Sequence, residues 1–141
     1  NVTAYIRKEE VGNMASATSV YPKVREKLVE LQKELAKKSN VIMDGRDIGT
    51  CVLPDAQVKI YLTASVQTRA KRRYDELKEK GVSCNIEEIQ KDIEDRDYRD
   101  MHREMSPLKQ AEDAVLLDSS ELNIDEVVLA IEKICKEKGI V

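Results

Sequence analysis

Residues able to do chemistry gather in three places along the 141-residue sequence. The most pointed is Asp44-Gly45-Arg46-Asp47-Ile48-Gly49-Thr50. It puts two carboxylates and a guanidinium in one short loop, with glycines that permit close backbone approach. An Arg in such a loop can fork onto a phosphate, and an Asp can orient hydrated Mg²⁺ or accept from a base amino group. The same residues also suit a polar turn closed by a local salt bridge.

The second place is Arg96, Arg99, Asp100 and Arg103, spaced i, i+3, i+4 and i+7 and so on one helical face. Arg rather than Lys favours bidentate contact with phosphate or carboxylate. An exposed salt-bridge ladder, worth little energetically, is the plainer alternative. The third place is Arg69-Ala70-Lys71-Arg72-Arg73, where Arg69, Arg72 and Arg73 stack at i, i+3 and i+4. A basic face beside a Gly-ended loop suits a mobile element that closes over a polyphosphate. It equally suits a solvated face or a small nucleic-acid patch. Ser16, Lys23 and Arg25 flank the start of a predicted helix, where backbone N–H groups and the dipole favour anions. A simple cap is the commoner role for Ser16. Of Gly12, Gly45, Gly49, Gly81 and Gly139, none opens G-x-x-x-x-G-K-[ST], and no G-x-G-x-x-G occurs. These residues therefore hold no phosphate-cradling loop.

The elements that must position these side chains are legible from pattern. Pro22 suits a first helical turn, and Val24, Leu28, Leu31 and Leu35 recur at helical spacing through Lys38, where Ser39-Asn40 break the helix. Val41-Ile42-Met43 leads into Asp44 as a first strand, placing the Asp44–Thr50 loop where open α/β sheets hold ligands. Pro54-Asp55-Ala56 turns into a second strand at Val58–Leu62. Ser65 caps a helix through Lys80 with Gly81 at C′. Asn85 with Glu88 resembles a capping box for a helix to about Arg103, ahead of Ser106-Pro107. Ala114–Asp118 is a third strand, its continuous apolar run expected where both faces are buried. Asn123 and Glu126 repeat the capping pattern for a last helix closed by Gly139. Strands separated by helices predict an α/β layer fold with a parallel sheet.

Composition narrows the function classes. Hydrophobic residues are 41% and charged residues 36%, with no Trp or Phe. That is apolar enough for a globular chain and too apolar for a disordered one. Apolar runs are only a handful of residues long, which argues against a membrane span. Twenty-four basic against 27 acidic residues give −3, unlike a general nucleic-acid binder. Cys51, Cys84 and Cys135 lie far apart, odd in number and outside CxxC spacing, which predicts reduced thiols in a cytoplasmic protein without a disulfide frame or zinc site. His102 is the only histidine, which leaves Ser-His-Asp chemistry little room. The opening Asn1-Val2-Thr3-Ala4-Tyr5 lacks an initiator Met and a signal-peptide pattern, and reads as the interior of a longer chain.

Together these stretches resemble the bacterial cytidylate kinase family, (d)CMP kinases of the nucleoside monophosphate kinase group. The matching residues are Asn13-Met14-Ala15-Ser16, Tyr21-Pro22-Lys23-Val24-Arg25, Asp44–Thr50, Pro54-Asp55-Ala56, Arg69–Arg73, and Arg96-Asp97-Tyr98-Arg99-Asp100 with Arg103 and Pro107. They run collinearly over essentially the whole sequence. The resemblance implies one partial domain, residues 1–141: part of a P-loop kinase parallel sheet flanked by helices, with a helical lid at about 65–105.

Carried over residue by residue, it implies that Ser16, Arg25 and Asp47 read the cytosine ring. Arg46 and Arg103 would hold the CMP phosphate, and Arg96 and Asp100 the sugar hydroxyls. Asp44 would face Mg²⁺ through water. Arg69, Arg72 and Arg73 would approach the ATP phosphates, and Arg46, Arg103 and Arg72 would carry the catalytic charge neutralisation. The implied reaction moves the ATP γ-phosphoryl group to CMP or dCMP. Without a phosphate loop, this chain by itself is expected to be inactive and to pair with a P-loop half or self-associate. The alternatives are a catalytically inactive nucleotide- or phosphate-binding fragment and, less favoured, a nucleic-acid-binding module using Arg69–Arg73. No membrane partner and no nucleic-acid partner are expected.

Overall fold

A computed structural model of the chain describes residues 3, 5, 6, 9–19 and 21–140, without the side chains of residues 9, 13 and 16. In chain order the helices are α1 (Glu9–Thr18), α2 (Pro22–Lys38), α3 (Val66–Glu79), α4 (Ile86–His102) and α5 (Ile124–Glu137). The strands are β1 (Ile60–Thr63) and β2 (Val115–Asp118), and a π-helical turn spans Ile48–Val52. The strands pair in parallel, Ile60 opposite Val115 and Thr63 opposite Asp118, with α3 and α4 between them in sequence. The molecule is thus α/β, a small parallel sheet flanked by helices.

Caps explain most boundaries. Pro22 opens α2, and Ser39 in extended backbone ends it. The Ser65 side chain accepts from the Thr68 N–H at 3.1 Å, and α3 ends one residue short of Lys80. Gly81 then takes a φ of +70, which its missing Cβ permits without strain. Asn85 accepts from the amides of Glu87 and Glu88 at 2.7 and 3.1 Å, a one-sided cap at the start of α4. Asn123 and Glu126 make the reciprocal box at α5.

Three expectations change. The segment 41–44 forms no strand: its backbone exchanges no ladder hydrogen bonds with any other described segment. Ile42 is fully exposed. Burial in β2 alternates instead of running continuously, since Leu116 and Asp118 face solvent. Ser16 lies inside α1, and so does not cap α2; its side chain is outside the described residues. Its proposed contact with a base is therefore outside them too.

The π-turn is what fixes the polar loop before it. Cys51 and Val52 donate to the Asp47 carbonyl at 2.9 and 3.3 Å, and Leu53 donates to Ile48 at 2.7 Å. Val52, 1% exposed, is the anchor: it is the largest fully buried side chain among the described residues. α2 packs against this turn, and α3 packs against α4. On the far side, Lys59 donates to the Pro54 carbonyl and to Asp113 at 2.8 Å, joining the entries of both strands to the turn. A Cβ at Gly49 would stand 3.3 Å from the Lys59 stem, so glycine lets the turn sit against it.

Candidate functional site

The Asp44–Asp47 loop carries its two inner side chains in opposite senses. Asp47, 8% exposed, receives the Arg25 guanidinium from α2. Arg46, its neighbour, reaches α4 and donates through Nε to Asp100 Oδ2. Adjacent residues of one loop thus bind two different helices, and the loop becomes the joint between them.

Asp100 is the hub of the second assembly. It is 4% exposed, and its two carboxylate oxygens face Arg46, Arg96 at 3.9 Å and Arg103 at 3.7 Å. Three guanidiniums around one carboxylate leave net positive charge, which is a field suited to an anion. Arg46 and Arg96 keep 37% and 45% of their side-chain surface, so a ligand can reach them. Arg103 is aimed by a second contact, Nε to the Ser106 carbonyl at 2.8 Å, made possible by a φ of +50 at Ser106. Arg99, the remaining member of the helical stripe, points to solvent.

A cleft of about 320 Å³ opens beside the first pair, lined by Arg25, Leu28, Gln32 and Asp47 among others. Arg25 Nε is buried there with no hydrogen-bond partner among the described residues. Such a donor is costly to leave unmade, and a ligand acceptor would satisfy it.

The α3 arginines are each engaged. Arg69 donates from Nε to the Ala64 carbonyl at 3.0 Å and from Nη2 to Asp97 on α4 at 2.6 Å. Arg72 donates to Ser119 O at 2.5 Å, Ser119 Oγ at 3.2 Å and Leu122 O at 3.1 Å. Arg73 pairs with Glu76 at 2.9 Å on its own helix. Lys80 and Arg73, bonded to Glu76 in that order of influence, hold its carboxyl below the usual range.

Asp44 is exposed and makes no hydrogen bond or ion pair among the described residues. No cluster of three or more His, Cys, Asp or Glu among them has the makings of a metal cage. A single free carboxylate does fit Mg²⁺ in the manner of phosphoryl-transfer sites, where water and substrate phosphates supply most ligands.

Sequence reasoning missed Asp97, Ser119 and the Lys59–Asp113 clip. Their partners lie on other elements, and no local spacing reports a cross-element contact. Of the sequence-derived set, the structure assembles Arg25 with Asp47, and Arg46, Arg96 and Arg103 with Asp100. It leaves Arg69, Arg72 and Arg73 in a separate group.

Comparison with known proteins covers nearly the whole chain. A family profile described as cytidylate kinase matches residues 1–137. The chain is 54% identical over 138 residues to a cytidylate kinase of Lactobacillus gasseri, 98% of this chain and 60% of that protein. It is 56% identical over 132 residues to one of Streptococcus pneumoniae, 94% of this chain and 59% of that protein. The chain therefore spans about three fifths of the length of these relatives.

Proposed function

The chain belongs to the cytidylate kinase family, and from that membership we propose that the protein carrying it moves the γ-phosphoryl group of ATP to CMP or dCMP, giving ADP and CDP or dCDP. The observation that carries this reading is the joint at Arg46-Asp47, where a sheltered carboxylate and a guanidinium cluster sit back to back. Asp47 accepts from the exocyclic amine of cytosine while Arg25 donates to the ring, which suits a base with a donor beside an acceptor. Ser16 is proposed to join them. Arg46 and Arg103 take the CMP phosphate, with Arg96 and Asp100 at the sugar hydroxyls.

The accepting phosphate oxygen is already anionic, so no strong general base is required. Catalysis is positioning plus charge neutralisation. Mg²⁺, when bound with ATP, supplies charge to the transferring phosphoryl group, and Asp44 is the residue that would face its water shell. Arg46, Arg103 and Arg72 neutralise the charge that develops. Arg69, Arg72 and Arg73 serve the donor side, Arg72 by exchanging carbonyl partners for phosphate oxygens.

A second reading, nucleotide binding without turnover by these 141 residues on their own, is favoured by the lack of any G-x-x-x-x-G-K-[ST] among them. Two measurements separate the readings. Titration calorimetry with CMP, UMP, AMP and an oligonucleotide should show CMP bound in preference. A coupled assay should show CMP-dependent ATP consumption by the full-length protein and none by the 141 residues alone. Oligonucleotide binding without CMP binding would defeat both.

A further inference from the structure

We propose that Asp97 is a positioning residue for the phosphoryl donor, holding the Arg69 guanidinium toward the nucleotide from across the α3–α4 contact. The inference rests on the kinase reading above, in which Arg69 faces ATP. What carries it is the way the N–H groups of Arg69 are divided. Nε is taken by the Ala64 carbonyl and one Nη2 hydrogen by Asp97, while Nη1 has no partner among the described residues. A guanidinium gripped on one edge and open on the other is a fork preset for a phosphate. Its orientation is fixed before any ligand arrives, which lowers the ordering cost of binding.

The neighbouring arginines lack this arrangement. Arg72 gives both Nη2 hydrogens to the Ser119 and Leu122 carbonyls and one Nη1 hydrogen to Ser119 Oγ. Arg73 is held by a carboxylate on its own helix, which fixes nothing relative to α4. Only Arg69, among the three, is tied to a second helix by a carboxylate. The pair is also poised in exposure: Asp97 keeps 18% of its side-chain surface and Arg69 keeps 35%. The anchor is sheltered and the fork is reachable. Asp97 stands beside Arg96 and one turn before Asp100, so the helix that organises the acceptor cluster also aims Arg69.

Steady-state kinetics on the full-length protein carrying this chain, with ATP and CMP varied in turn, test the proposal. For Asp97→Asn the KM for ATP should rise roughly fivefold while the KM for CMP stays within about twofold. Asp97→Glu should recover most of the loss. Asp97→Asn combined with Arg69→Ala should be no worse than Arg69→Ala alone, because the two act as one unit. Asp75→Asn, in an exposed pair with Lys71 on the same helix, is the control and should leave both constants unchanged. Equal rises in both KM values, an unchanged KM for ATP, or additive losses in the double variant would overturn it. Should Asp97→Asn fail to fold, Arg69→Lys replaces it; a Lys keeps the charge but cannot span Ala64 and Asp97, so the same split is expected. Absence of CMP-dependent turnover in the unsubstituted protein removes the kinase reading, and this inference with it.

Discussion

At the residue scale, the two buried carboxylates among the described residues, Asp47 and Asp100, hold guanidiniums that the proposed function gives to the nucleotide. Removing such a carboxylate leaves positive charge uncompensated. Asp100→Asn should therefore lower stability by roughly 1–3 kcal/mol, discounted because Arg46 and Arg96 are half-exposed. Added sulfate or phosphate should restore part of the melting temperature by replacing the lost counter-charge. No anion-dependent recovery would mean that the cluster is a plain structural network. Asp47→Ala addresses the base: the ratio of kcat/KM for CMP over UMP in the full-length protein should fall by a factor corresponding to roughly 1–3 kcal/mol of lost discrimination. An unchanged ratio would remove Asp47 as a base reader. Arg46 and Asp47 were visible in the sequence because two carboxylates and an Arg in a glycine-bearing loop are chemically conspicuous. Asp97 was not, since an Asp within Arg96-Asp97-Tyr98-Arg99 gives no sign that its partner lies on α3.

At the element scale, capping and clipping decide how well the site is held. The α5 box is formed at both ends, Asn123 to Glu126 N at 2.9 Å and Glu126 to Asn123 N at 2.8 Å. Asn123→Ala should cost about 1 kcal/mol, measured by denaturant unfolding, with the slope unchanged. The Lys59–Asp113 clip has a pH signature. Lys59 holds the Asp113 carboxyl below its ordinary 3.8. A carboxyl whose folded pKa is lowered contributes stability present above the unfolded value and lost as pH falls through the folded one. The melting temperature should therefore drop as pH falls below about 4, and less steeply in Asp113→Asn, which has no clip to lose; parallel curves would assign the acid loss elsewhere. Helix ends were legible because Pro22, Ser65, Asn85, Asn123, Gly81 and Gly139 act locally. The π-turn was not, because its shape depends on Val52 being buried against other elements. The run at 41–44 read as a strand from its apolar side chains, yet strand identity also needs a partner backbone.

For the whole molecule, surface is the telling quantity. The accessible area is 10852 Å² for a 16.0 kDa chain, against roughly 7,400 Å² for a compact monomer of that mass. Only Val52, Ala64 and Ala70 are buried apolar residues among those described. The strand register puts Leu62 and Leu116 on opposite faces of the sheet, and each is more than half exposed. A parallel sheet ordinarily has both faces covered, and among the described residues each strand is paired on one edge only. These 141 residues alone should therefore self-associate or bind a second polypeptide. Size-exclusion with light scattering should show species larger than 16.0 kDa or a concentration-dependent mass. A cooperative monomer of that mass would contradict the expectation. The pairing of Ile60 with Val115 also has a consequence for how the chain is made. β1 leaves the ribosome ahead of β2, its partner among the described residues, because α3, α4 and the following loop must be translated first. At roughly 5–20 residues per second that interval lasts several seconds. Throughout it the side of Ile60-Tyr61-Leu62 that β2 later takes lacks that partner, a window in which chaperones and neighbouring nascent chains compete for it.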